Sequence, residues 1–85
     1  MKRRLAWLAW DLELSPHVVK RMADRDFTEL DLRGMLQSGT RVRRSLEPGR
    51  WIVSARLRRR RWDVIVEPDA ELERLVVITA YPLTP

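Results

Sequence analysis

Cysteine is absent from the 85 residues and histidine occurs once. The first absence removes disulfides and thiolate metal sites together. The second leaves any metal ion to carboxylates and one imidazole, an unusual donor set for zinc, so neither a metal nor another cofactor is expected. Lysine is nearly missing: of 17 basic residues only Lys2 and Lys20 are not arginine. No apolar run approaches the roughly 20 residues of a membrane-spanning helix. The opening Met1-Lys2-Arg3-Arg4, followed by apolar residues from Leu5 to Trp10, has the order of a secretion signal. The apolar run is short, however, Asp11 and Glu13 follow it, and no small-residue cleavage site appears. A cytoplasmic protein without membrane contact is therefore expected.

What is present fits one small α+β domain. Hydrophobic residues make up 45% and charged residues 34%, proportions of a folded domain rather than a disordered chain. Residues 1–12 are expected to form an apolar arm and residues 13–85 the domain. Trp7 and Trp10 lie three apart and share a face if the arm is helical. That face would dock on the core or on a partner, including a second copy held through the segment from Leu5 to Trp10. The net charge of +5 rests on arginine, whose planar fork grips phosphate bidentately. A GC-rich genome, which places arginine where another would place lysine, is the competing explanation.

Ser15-Pro16 marks a helix start, with serine able to cap an orphan amide and proline tolerated at the first helical position. The helix covers residues 16–25, with Val18 and Met22 as a buried stripe and His17, Arg21 and Asp24 on an adjacent one. Thr28 and Asp31 form a capping box for a second helix, and Phe27 and Leu32 a hydrophobic staple. Leu32, Met35 and Leu36 give that helix its apolar face, and Gly39 is expected to end it at positive φ.

From Thr40 the period changes from helical to two. Residues 40–46 read as a weak strand and Glu47-Pro48-Gly49-Arg50 as a type II turn. Trp51, Val53, Ala55 and Leu57 alternate with polar residues, residues 58–60 form a hairpin tip, and Trp62, Val64 and Val66 alternate until Pro68-Asp69. Residues 75–81 read as a buried strand. The expected fold is two short N-terminal helices packed on one face of a four-stranded antiparallel meander.

The pattern H-x-x-x-R-M-x-x-R over residues 17–25, the capped second helix, W-D-V-I-V-E-P-D over 62–69 and T-A-Y-P over 79–82 resemble the bacterial domain-of-unknown-function family 4258. The resemblance spans about residues 15 to 82. That family is similar in layout to the toxin ribonucleases grouped with barnase, EndoU, the colicin nucleases and RelE, which implies a toxin-like, RNA-binding protein with ribonuclease activity. Asp26 stands where the family often has glycine, and aspartate tolerates the left-handed conformation that glycine serves.

Metal-independent RNA cleavage needs a base, an acid and cations at the phosphate. His17 suits proton transfer near neutral pH. Arg21, one turn on, would hold the phosphate, Arg25 would assist from the helix end, and Tyr81 or Thr79 would donate from the last strand, with Glu67 a spare carboxylate. The bland reading is a histidine that satisfies a nearby carbonyl or faces solvent, a surface pair of Arg21 with Asp24 or Glu29, and a core tyrosine with its hydroxyl at the surface. A separate cluster of Arg41, Arg43, Arg44, Arg50, Arg56, Arg58, Arg59, Arg60 and Arg61 would give the sheet a basic face for a nucleic-acid backbone, or for an acidic antitoxin-like protein. Its bland counterpart is a solvated hairpin whose charges discourage edge pairing. Three readings follow: ribonuclease, non-catalytic binding module, or oligomerising structural domain.

Overall fold

The computed structural model describes residues 5–84. Residues 1–4 of the expected arm, and Pro85, lie outside the described residues. A 3-10 turn, Ala6–Ala9, leads into β1 (Asp11–Leu14). Then come α1 (Pro16–Arg25), α2 (Glu29–Ser38), β2 (Arg41–Arg44), β3 (Trp51–Leu57), β4 (Arg60–Asp69) and β5 (Arg74–Pro82).

Both helix starts form as their residues dictate. The Ser15 hydroxyl accepts from the Val18 amide at 3.0 Å and donates to the Ile78 carbonyl at 2.7 Å, so one side chain caps α1 and ties it to β5. Thr28 and Asp31 close the reciprocal capping box on α2. Asp26 ends α1 at φ 55, in the left-handed region. Gly39, in contrast, sits at φ −52, so the expected positive-φ stop is corrected. Its lack of a side chain serves proximity instead, since a Cβ there would lie 2.7 Å from Val53 Cγ1.

The sheet has five strands in the order β1-β5-β4-β3-β2 and is mixed, which corrects the four-stranded antiparallel meander. β1 runs parallel to β5, pairing Leu12 with Leu75 and Leu14 with Val77. The other pairs are antiparallel. Asp11-Leu12-Glu13-Leu14 alternates for only two periods and pairs with residues near the other end of the chain, so local pattern alone carries little of it. The turn at Pro48-Gly49 forms, with Gly49 at φ 82 and the Arg50 amide donating to the Glu47 carbonyl at 3.2 Å.

One layer of helix covers one side of the sheet. Val18, Phe27, Leu32, Met35 and Leu36 are buried with Val53, Val64, Val66, Leu75, Val77 and Ala80. Leu8 is buried in the same core, and the Trp7 ring lies 5.7 Å from that of Trp51. Trp7, Leu8 and Trp10 therefore pack on the domain, while Leu5 stays exposed. Neither helix among the described residues is long and apolar enough to cross a membrane.

Candidate nucleic-acid interface

Strand alternation decides what the other side of the sheet carries. Val53, Val64 and Ala80 point into the helix layer, so their neighbours Ser54, Asp63 and Tyr81 point away from it. Register then sorts that open face into rows. Arg41, Ser54, Asp63 and Tyr81 lie opposite one another across β2, β3, β4 and β5. On one side of this row come Arg43, Ile52, Ile65 and Thr79. On the other side Arg56 faces Arg61, and the chain beyond β5 continues the pairing, with the Leu83 amide donating to the Arg61 carbonyl at 2.8 Å.

Asp63 is the one charged residue among the described residues that the fold buries, at 4% exposure. A carboxylate so placed needs partners. Arg43 donates to its Oδ2 at 3.0 Å and the Ser54 hydroxyl donates to its Oδ1 at 3.3 Å. Arg43 also donates to Ser54 Oγ at 2.9 Å, closing a three-residue network that draws the edge strand's arginine over the sheet.

The nine clustered arginines divide by what they touch. Arg43 belongs to Asp63. Arg50 pairs with Glu47 at 2.7 Å and Glu67 at 3.3 Å. Arg58 folds back toward the helices, donating to the Asp26 carbonyl at 2.7 Å and pairing with Asp31 at 3.3 Å. Arg44 stacks over the Trp51 ring, 5.0 Å from its centre. Arg41, Arg56, Arg59, Arg60 and Arg61 are exposed, and no acidic side chain among the described residues pairs with them. Arg41, Arg56 and Arg61 stand on the open face, and Arg59 and Arg60 sit at the hairpin beside them, where both line the same hollow as Arg56 and Arg61.

Two adjoining hollows mark that end. One, of about 370 Å³, is lined by Arg41, Arg43, Ser54, Arg56 and Arg61. The next, of about 450 Å³, is lined by Arg56, Arg59, Arg60 and Arg61. Leu83 borders both. The hairpin joining β3 to β4 turns through Arg58 and Arg59, both at positive φ, 51 and 68. Glycine and asparagine occupy such positions at lower cost.

The helix-borne candidates lie elsewhere. His17 is exposed on the first turn of α1 and makes no hydrogen bond among the described residues. Arg21 pairs with Asp24 at 2.9 Å on the helix surface. Arg25 donates to the Ala80 carbonyl at 2.8 Å, on the stretch of β5 that β1 does not reach. Tyr81 is on the side of the sheet that α1 does not cover. None of the four borders either arginine-lined hollow. Thr79 shares the open face with Tyr81, and Glu67 is taken by Arg50. Asp63 and Ser54 are the positions of this face that composition passes over. Their signal was a lone acid between Trp62 and Val64 in an otherwise apolar alternation.

A family model described as a domain of unknown function, DUF4258, matches residues 14–82. The chain belongs to the DUF4258 family. No curated protein and no solved structure gives a significant match. The DUF4258 match starts at the end of β1 and stops at the end of β5. It takes in the Asp63 network and all five unpaired arginines, and leaves Leu8 and Leu83 as flanking additions to the same fold.

Proposed function

We propose that this DUF4258 domain binds the phosphodiester backbone of RNA through the hairpin end of its open sheet face. The observation that carries the reading is the pair Arg56 and Arg61, set directly opposite on neighbouring strands, with no acidic side chain among the described residues paired with either. Like charges in that register repel and destabilise the sheet. A phosphate between them converts the repulsion into two charge-assisted hydrogen-bonding partners. RNA is the nucleic acid to which the resemblance to toxin ribonucleases points. Binding is what this geometry supports. Cleavage by His17 with Arg21, Arg25 and Tyr81 draws no such support, since Arg21 and Arg25 are held by Asp24 and the Ala80 carbonyl.

The test is a fluorescence anisotropy titration of a short single-stranded RNA between about 50 and 200 mM salt. Five neutralised phosphates at about −0.7 each give a slope near −3.5 in log K against log salt. Replacing Arg56 and Arg61 together by glutamine should bring it to about −2.1. A flat titration, or a double variant that binds like the parent, would sink the proposal. The same mixtures run on a denaturing gel report cleavage, and RNA cut by the parent but not by His17→Ala would return the ribonuclease reading.

A further inference from the structure

We infer that the open face selects single-stranded RNA over duplex by stacking a base on Tyr81. This rests on the backbone-binding reading above. The face next to the free arginines is not uniformly polar. Ile52 and Ile65 occupy the row of Arg43 and Thr79, Tyr81 ends the row of Arg41, Ser54 and Asp63, and Leu83 ends the row of Arg56 and Arg61. All four are half-buried, and both helices lie on the other side of the sheet, so no described element covers them. Tyr81 is directly opposite Asp63, which makes it a diagonal neighbour of Arg61, at a separation of about 7–8 Å between diagonal positions.

Cationic and aromatic surface thus stand side by side on β4 and β5. A duplex offers this surface only phosphates, since its bases are stacked inside, and the apolar positions would gain nothing from it. A single strand brings both groups, its phosphates to Arg56 and Arg61 and an unstacked base to the tyrosine ring.

The experiment compares one RNA sequence free and annealed to its complement, with the full chain and with Tyr81→Leu and Tyr81→Phe variants, each checked for folding by circular dichroism. The single strand should bind more tightly than the duplex at equal salt. Tyr81→Leu should weaken single-strand binding by about 5- to 150-fold, the range for losing one base–aromatic stack, and leave the duplex unaffected. Tyr81→Phe should bind like the parent, and the salt slope should stay near −3.5 for every Tyr81 variant. A steep slope with equal affinity for strand and duplex, or with Tyr81→Leu indistinguishable from the parent, would overturn base stacking while leaving backbone binding standing. A flat slope would remove both.

Discussion

Gly39→Ala separates two reasons for a glycine at the end of a helix. At φ −52 and ψ 131 an alanine fits the backbone without strain, and restricting the unfolded chain should even stabilise by about 0.4–1 kcal/mol. The side chain has no such freedom. Its Cβ would meet Val53 Cγ1 at 2.7 Å and the Met35 carbonyl oxygen at 3.3 Å, and both residues are within 1% of complete burial. Overpacking of this kind costs about 1–3 kcal/mol, leaving a net loss of about 1.3 kcal/mol at the middle of both ranges and about 2.6 kcal/mol at most. With an unfolding entropy of about 180 cal/mol/K for a chain this size, the midpoint should fall by about 7 °C, and by about 14 °C at most. Thermal unfolding followed by circular dichroism reads that shift, and a double-mutant cycle with Val53→Ala reads its cause. Truncating Val53 opens the space, so the double variant should be more stable than the sum of the singles by about 1–3 kcal/mol. Additive losses would refute the steric explanation. RNA binding should follow the same pattern, because the Thr40 amide, next to Gly39, donates to the Ser54 carbonyl at 2.9 Å and sets Arg41 opposite Ser54.

Two further changes probe the parts that carry the face. Ser15→Ala removes a helix cap and the donor to the Ile78 carbonyl, and should cost about 1.5–3 kcal/mol, seen as a lower urea midpoint with an unchanged slope. A loss under about 0.5 kcal/mol would mean that water replaces the serine at both bonds. Asp63→Asn leaves the shape but removes the charge that holds Arg43. Stability should fall by about 1 kcal/mol, while RNA binding tightens and its salt slope steepens by about 0.7 as a sixth arginine becomes free. Weaker binding in that variant would contradict the view that Asp63 keeps Arg43 from the ligand.

What the sequence revealed of the fold was what neighbours in the chain decide. The Ser15-Pro16 start, the Thr28/Asp31 box, the Pro48-Gly49 turn and the strands around Trp51 and Trp62 each depend on a few consecutive residues. β1 depends on Leu75 and Val77, more than 60 positions away, and four residues carry too little pattern to announce a parallel partner. Gly39 was misread for a related reason. A glycine after a helix suits a left-handed stop, and only the packing of α2 on β3 shows that the space belongs to Val53.

The arginine cluster shows the same division at the level of the site. Counting cations in the chain finds nine candidates, but whether each is available depends on which acid or ring the register brings to it. Arg43 reaches Asp63 only because β2 and β4 flank β3, and Arg58 reaches Asp31 only because the hairpin bends toward α2. Those contacts use up arginines in holding strand to strand and sheet to helix. Where the fold had the same opportunity at Arg56 and Arg61, it set two cations opposite each other instead. Structural demand explains Arg43 and Arg58, whose partners are a buried carboxylate and a helix end, while Arg50 and Arg44 are engaged by two glutamates and the Trp51 ring. It does not explain a like-charged pair across a ladder, and an anionic ligand does.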